Sequence, residues 1–457
     1  MNNSTTDTIA AIATPPGEGG VGIVRVSGSN VWKIADEIFQ TLEKPSAAPG
    51  GTFLFGKIKA ADGSEIDEGL CLIFRAPRSY TGDDTVEIQG HGGAVVLKKI
   101  LRRCLDAGAR MAEPGEFTKR AFLNGKMDLV QAEAVADLIH AQSDRAAKAA
   151  LEQLEGGLSR RFNRLYDSLV EVAADIETTL DFVEEELPED VFPNLGKKLD
   201  DSFQTLENLL ATWDEGRLLR EGARVVIMGR PNAGKSTLFN ALLGQDRAIV
   251  TDIPGTTRDV IEESFVLDGV PLRVLDTAGL RETECLIEQE GIRRARAHSA
   301  AADIAVYLID SSQPFSEEDR ELLGKLNPLK TIVVCNKCDR RNDGFQFPVS
   351  DFQPLETSLA AGRGLAEIKA AVAEKLEAGF SHGTPAHAVI SERHRNLLEQ
   401  ARAELVLAQS AVAGGEAAAA AAAEHLRTAL EALGEVTGRV YHNELLDSVF
   451  SRFCIGK

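Results

Sequence analysis

Apolar side chains along this chain follow three regimes. Leu151, Leu154, Leu158, Phe162, Leu165, Leu169, Val172, Ile176 and Leu180 recur at steps of three and four, which gathers them on one face of a long amphipathic helix. Gly156 and Gly157 interrupt the run and mark a kink or a helix boundary. The acidic residues 184–186 and Pro188 then end it, and these carboxylates read as a solvated turn rather than a metal site. From 221 to 380 strand-like and helical runs alternate. After Pro385 helical spacing returns, through Leu397, Ala401, Leu405, Ala408 and Val412, then Leu426, Ala429, Leu430 and Leu433. Residues 1 to about 120 carry shorter apolar runs, Thr8–Ala13, Val21–Val26, Thr52–Lys59, Gly69–Phe74 and Thr85–Gln89, separated by turn clusters and followed by a helical Val95–Leu105.

Two amphipathic halves standing alone would each leave an apolar stripe in water, so the helices on both sides of 221–380 are expected to share one core. The expected fold is therefore multidomain, α/β plus α. An N-terminal α/β domain takes 1–120 and a helical domain takes 121–220 and 381–457. A P-loop α/β domain, 221–380, is inserted into the helical one.

Length fits this division, since 457 residues and 44% hydrophobic side chains support more than one packed core. Fifty basic against 70 acidic side chains leave a net charge of −20, which disfavours indiscriminate binding to nucleic acid or anionic membranes. The start of the chain lacks the basic and apolar segments of a signal peptide, and no apolar run reaches the length of a membrane span. The alanine tract 417–423 reads as helix. Six scattered cysteines form no disulfide framework, so a reduced, cytoplasmic protein is expected.

The inserted segment carries the chemistry. Arg224–Met228 is an apolar run that leads into the glycine-framed loop Gly229–Ser236 and then into a helical pattern, the context of a phosphate-binding loop. Backbone N–H groups of such a loop surround phosphate oxygens at the positive end of the following helix. Asn232, Ala233, Gly234, Lys235, Ser236 and Thr237 are the expected contacts, with Lys235 on the β- and γ-phosphates and the Ser236 hydroxyl on Mg²⁺.

Val270–Leu275 is a second strand-like run ending in an acid, Asp276, which would act on Mg²⁺ through water, while Gly279 offers its N–H to the γ-phosphate. Asp276, Thr277, Ala278 and Gly279 form this motif. Between the two phosphate motifs, Thr257 is placed to complete the Mg²⁺ shell in a loop that the γ-phosphate would order. A third run, Thr331–Cys335, leads into Asn336, Lys337 and Asp339. The Asp339 carboxylate accepts from both N1–H and the 2-amino group of guanine, donors that adenine lacks there, so GTP is the expected nucleotide. Ser358, Leu359 and Ala360 supply a further loop for the guanine carbonyl. Cys335 and Cys338 form a C-x-x-C pair, but the residues between them belong to the guanine motif and no second pair exists. Four motifs in this order resemble the translation-factor-related P-loop GTPases. Leu280 stands where many small GTPases carry a water-positioning glutamine, so either hydrolysis is poor or another group and another cation do that work. His91, framed by glycines, reads as a structural hydrogen-bonding residue.

Beyond the GTPase motifs, 7–17, 19–25, 90–93, 114–117, 120–124 and the terminal Phe453–Lys457 carry a resemblance to the tRNA-modification GTPase family MnmE, also called TrmE. The resemblance implies an N-terminal domain similar to tetrahydrofolate-binding domains that binds 5-formyltetrahydrofolate or a related folate and forms a homodimer. It further implies a flavoprotein partner, MnmG, in a heterotetramer or larger assembly. Together these would add an aminomethyl-type group, such as carboxymethylaminomethyl, to C5 of the wobble uridine of certain tRNAs.

Carried residue by residue, the resemblance gives Arg25, Glu87, Lys126 and Lys457 for folate, and Cys454 as a catalytic thiol. It also gives a catalytic K⁺ held by Asn232, Thr251, the Ile253 carbonyl and Thr256, which with Thr257 line the nucleotide, and Glu288, rather than Glu282, as the residue that orients water. Glu18, and Pro254 in the cation loop, depart from the family pattern. The competing readings are a GTP-switched RNA-binding ribosome-assembly factor, which the acidic charge balance does not support, and a folate-responsive switch.

Overall fold

The computed structural model describes residues 7–181, 188, 190–244, 263–275, 302–377 and 389–457. Two compact units emerge: one comprises the chain up to Ala136 with Ser159–Tyr166 and Leu430–Lys457, the other Asp137–Leu158 and Asp167–Ala429. Residues 159–166 and 430–457 thus fold with the N-terminal sheet although they lie in the helical stretches of the sequence.

In the first unit, β1 (Thr8–Ile12), β2 (Gly22–Gly28), β3 (Phe39–Gln40), β4 (Thr52–Lys59), β5 (Glu65–Phe74), β6 (Thr85–Gly90) and β7 (Arg110–Met111) form one sheet in the order β3-β4-β5-β6-β2-β1-β7. Every pairing is antiparallel except β1 with β7. Helices α1 (Val31–Ile38) and α2 (Ala94–Asp106) contribute Ile34, Ile38, Leu97 and Ile100 to a core with Val24, Val26, Val86 and Ile88 from the sheet. Strand alternation then sends Arg25 and Glu87, register partners on β2 and β6, to the opposite face. His91 has the structural role expected of it: its N–H and Nδ1 both bond the Asp67 carboxylate, at 2.7 and 2.8 Å. Helix α3 (Glu116–Leu123) follows, then α4 (Leu129–His140).

The long apolar periodicity resolves into two helices rather than one. α5 (Asp144–Leu154) starts at the cap Ser143, whose hydroxyl accepts from Ala146 N–H at 3.2 Å, and α6 is Gly157–Asp181. Gly156, with φ +83, makes the break, a left-handed conformation that ends a helix cheaply only at glycine. Leu158, Phe162, Leu165, Leu169, Val172 and Ile176 are at most 1% exposed, but Leu151 is 47% exposed, so the first position of the expected stripe is not core. α7 (Val191–Leu210) and α8 (Trp213–Glu221) complete the first helical stretch.

The second α/β sheet has β8 (Ala223–Gly229), β9 (Glu263–Leu267), β10 (Val270–Leu275), β11 (Ile304–Asp310), β12 (Thr331–Asn336) and β13 (Leu355–Glu356) in the order β13-β12-β11-β8-β10-β9. All neighbours are parallel except the β9–β10 hairpin. Central strands buried on both faces read as continuous apolar runs, as β11 and β12 do. α9 (Lys235–Leu243) and α11 (Leu365–Glu377) cover one face, while α10 (Glu317–Leu323) lies with the other core cluster. Beyond this sheet, α12 (Glu392–Ala413) packs along α7 and presents Leu398, Ala401, Leu405 and Ala408, all fully buried. Helices from before and after the α/β segment therefore share a core, as insertion requires. α13 (Ala419–Thr437) begins inside the alanine tract, and α14 (Asn443–Phe450) precedes the C-terminal tail.

Candidate functional site

Strand β8 delivers the phosphate loop. It lies between β10 and β11 with Val225, Val226, Ile227 and Met228 buried, so Gly229 emerges at the carboxyl edge of a parallel sheet, where ligands of open α/β sheets bind. Leu238, Phe239 and Leu242 anchor α9 behind the loop and fix its N-terminus beneath it. Asn232 takes φ +65 and Gly234 φ +108, a left-handed pair that turns successive N–H groups toward one side. A Cβ on Gly234 would lie 2.2 Å from Asn336 Nδ2, so this position admits only glycine while Asn336 keeps its place.

Lys235 donates to the carbonyls of Gly229 and Arg230, each at 2.9 Å, spanning the mouth of the loop. Burial alone pulls this ammonium below the usual lysine value. An arriving phosphate reverses that penalty, which is a direct physical reason for the site to prefer anions. Ser236 and Thr237 are exposed in the first turn of α9 and Asn232 is exposed in the loop, so their side chains are accessible to a cation at that edge. An oxygen donor set of this kind, a hydroxyl and an amide carbonyl, suits hard cations such as Mg²⁺ or K⁺.

The guanine motif is joined to the phosphate loop through Asn336, which is 3% exposed. Its Nδ2 donates to the Ala233 carbonyl at 2.9 Å, and its Oδ1 accepts from Leu359 N–H at 3.1 Å and Thr357 Oγ1 at 3.3 Å. One side chain thus ties three separately expected loops together. Ser358 Oγ donates to Asp339 Oδ1, and that hydrogen bond is the chief reason the Asp339 carboxyl sits below its ordinary value. Ser358 thus aims the Asp339 carboxylate. Ala360 is exposed at the end of the same loop. Burial pushes the Cys335 thiol of the C-x-x-C pair up to about 12.

One participant has no place in the sequence reading. Asp310, at the end of β11, accepts from Lys337 Nζ at 2.6 Å. The available signal was the pattern already used for Asp276, an apolar strand run that ends in an acid. Thr251, Ile253, Thr256, Thr257, Asp276, Thr277, Ala278, Gly279 and Glu288 lie outside the described residues.

A second cluster lies in the N-terminal unit. Arg25 Nε donates to Glu87 Oε1 at 2.8 Å, and its Nη1 reaches the Gly456 carbonyl at 3.4 Å. The guanidinium also lies 5.4 Å from the Tyr80 ring centroid and 5.5 Å from that of Phe117. Burial, then the neighbouring Arg25, lower the Lys457 ammonium, with Glu87 opposing them. The tail that brings Lys457 here is held by backbone contacts: Ile455 bridges Pro114, and Phe117 N–H at the start of α3 donates to the Lys457 carbonyl at 3.2 Å. Gly456 takes φ +101, and a Cβ there would lie 2.3 Å from the Ile12 carbonyl. Cys454 is exposed on the same tail. Three of the four residues expected at one site thus meet, whereas Lys126 bonds the Pro77 carbonyl at 2.9 Å, in the loop that leads to Tyr80. A largely buried carboxylate paired with Arg25 and coupled to Lys457, with the Tyr80 and Phe117 rings against the guanidinium, offers a ligand an acceptor and cationic donors side by side.

Comparison with known proteins is consistent along the whole chain. Residues 8–126 match the family described as GTP-binding protein TrmE N-terminus, and 129–454 match the MnmE helical domain. A protein of Neisseria meningitidis serogroup B is 44% identical over 452 residues, 98% of this chain and 99% of that one. One from Lactiplantibacillus plantarum is 43% identical over 458 residues, 99% of this chain and 98% of that one. One from Geotalea uraniireducens is 43% identical over 455 residues, 99% of each. All three are named tRNA modification GTPase MnmE.

Proposed function

The chain belongs to the tRNA modification GTPase MnmE family, and we propose that it hydrolyses GTP and, with the flavoprotein MnmG, modifies C5 of the wobble uridine of certain tRNAs with a folate-derived carbon. The observation that carries the nucleotide half of this reading is Asn336. Its amide joins the phosphate loop, the guanine motif and the 357–359 loop in one hydrogen-bonded unit, so the parts that would hold phosphate and base are fixed relative to one another.

In this reading Lys235 and the loop N–H groups hold the triphosphate, and Asp339 reads the guanine edge. Ser236 and Thr257 would hold Mg²⁺. Asn232, Thr251, Ile253 and Thr256 would hold K⁺, which would supply positive charge against the developing negative charge of the leaving group. Glu288 orients the attacking water in place of the glutamine absent at Leu280. Arg25, Glu87 and Lys457, joined by Lys126, bind the folate, the one-carbon donor; Cys454 acts beside it on the same tail. Glu87 would accept from the pterin donor edge, while Arg25 and Lys457 would face carbonyl or anionic groups. We place the protein in the cytoplasm with its tRNA substrate, as a homodimer through residues 1–120, with 121–220, 221–380 and 381–457 as its further segments. Among the described residues no helix is long and apolar enough to cross a membrane.

Two measurements test the proposal together. GTP hydrolysis by the purified protein should rise when K⁺ replaces Na⁺, and Glu288→Ala should keep nucleotide binding while losing hydrolysis. Mass analysis of tRNA nucleosides from cells carrying only Cys454→Ser should show loss of the wobble modification with GTPase activity intact. Full hydrolysis by the first variant, or normal nucleosides with the second, would overturn the corresponding assignment.

A further inference from the structure

Lys337 has the backbone conformation least expected of it. Its φ of 62 and ψ of 36 lie in the left-handed region, which a residue with a Cβ rarely adopts. Asn336 before it is locked inward on Ala233, and Asp339 after it is held by Ser358, so the backbone must reverse between them. What holds the lysine side chain through this reversal is a neighbouring strand end. Asp310 Oδ2 accepts from Lys337 Nζ at 2.6 Å, while Asp310 Oδ1 accepts from Ser312 N–H at 3.0 Å and Ser312 Oγ at 2.6 Å. Both carboxylate oxygens are thereby committed. The side chains of Lys337 and Asp310 are 33% and 13% exposed, so the pair is partly shielded from competing water. The backbone reinforces it: Asp310 is the register partner of Asn336 across β11 and β12, Ser311 N–H donates to the Asn336 carbonyl at 2.9 Å, and Asn342 N–H donates to the Ser311 carbonyl at 2.8 Å. Residues 310–312 form a fixed ledge beneath the guanine loop.

We propose that Asp310 is a positioning residue of the guanine-nucleotide site, which tethers the Lys337 ammonium so that the lysine stem and its strained turn stand as a preformed wall for the purine ring. This rests on the nucleotide-binding reading above. Division of labour follows from the geometry. Asp339 reads N1–H and the 2-amino group and so sets which purine is accepted. Lys337 offers an aliphatic stem and no contact to the 2-amino position, so its tether sets how long any purine nucleotide stays. The depressed Asp310 carboxyl agrees with this arrangement: burial works against ionisation, and the bonds from Lys337 and Ser312 outweigh it. The bland alternative is that Asp310 merely closes its own strand-end turn through Ser312.

Release rates separate these. Dissociation of fluorescent GDP and IDP, the latter lacking the 2-amino group, is measured by stopped flow for the full chain. Asp310→Asn keeps an oxygen for Ser312 but removes the charge facing Lys337. We expect both nucleotides to leave about tenfold faster, with the GDP-to-IDP ratio unchanged. In a Lys337→Met background, which removes the ammonium without touching β11, Asp310→Asn should add nothing. Unchanged release from Asp310→Asn, a changed GDP-to-IDP ratio, or an effect that persists in the Lys337→Met background would each overturn the inference. A wild-type chain that binds no GDP would overturn the nucleotide reading itself, which keeps the two failures distinct. The Lys337→Met chain, with its strand end intact, should release both nucleotides about as fast as Asp310→Asn, and this comparison stands even if Asp310→Asn folds poorly.

Discussion

The nucleotide site and the Arg25 cluster are assembled by opposite means. In the first, each part is a contiguous loop that leaves the carboxyl end of a parallel strand, and a single buried amide, Asn336, sews the loops together. In the second, each part is a lone side chain on an antiparallel sheet face, completed by a tail whose Gly456 lies 431 residues from Arg25. Backbone chemistry forces a recognisable motif, because turns that cradle phosphate need glycine and left-handed positions in fixed order. A side chain on a sheet face needs only the correct parity, and many sequences satisfy that. The first kind of site can therefore be broken from within one motif, whereas the second breaks when distant segments separate.

The sharpest way to break the contrast is Asp339→Asn. It should weaken GDP and GTP by at least about a hundredfold and open the site to xanthine nucleotides, because the amide presents a donor where guanine needs an acceptor. The Arg25 cluster should be untouched, and calorimetric titration with both nucleotides checks the swap; retained GDP affinity would show that Asp339 does not read the base.

A smaller effect, on the other site, is expected from Gly456→Ala. Its Cβ meets the Ile12 carbonyl at 2.3 Å with φ +101, so the tail should undock at a cost of about 1–3 kcal/mol. Hydrogen exchange at Phe117 N–H should accelerate and the tail should become protease-sensitive while GDP binding stays normal. Protection equal to the wild type would mean that the tail is not held this way.

The smallest effect is a pH dependence confined to the anchor of that tail. Burial alone would raise Asp7 and Glu116, but Arg110 and Arg120 hold both carboxyls below their ordinary values. Carboxyls depressed in the folded state contribute stability above the unfolded values, about 4 to 4.5, and lose it as pH falls through the folded ones. Acid titration followed by exchange in α3 should therefore show protection declining below about pH 4.5, with a shallower decline in Arg110→Ala. An identical slope in that variant would remove the network from the account.

Legibility in the sequence followed the same division. β4 appears at the expected Thr52–Lys59, and β6 and α2 within a residue of expectation, because period-two alternation and the flanking turns act locally. The expected helical stripe was right in its face but wrong at its start. Gly156 could be read as a kink or a boundary, and only the fold decides which side of the break finds a core; Leu151 is left 47% exposed. Asp310 went unread since an acid at a strand end is common. Its meaning comes from Lys337 on the neighbouring strand.

The sequence by itself determined the nucleotide chemistry, the helical segments and their interruption by an α/β segment, since each rests on spacing within a few tens of residues. Tertiary structure decided that residues 159–166 and 430–457 fold with the N-terminal sheet, and that Arg25 and Glu87 bond each other on the face away from α1 and α2. It also decided that Lys126 bonds Pro77, whereas Lys457 lies with Arg25 and Glu87. Local spacing fixes dihedral angles and turn chemistry, but which distant segments meet is settled by buried apolar area and hydrogen-bond pairing summed over the whole chain, and no short window of sequence contains that sum.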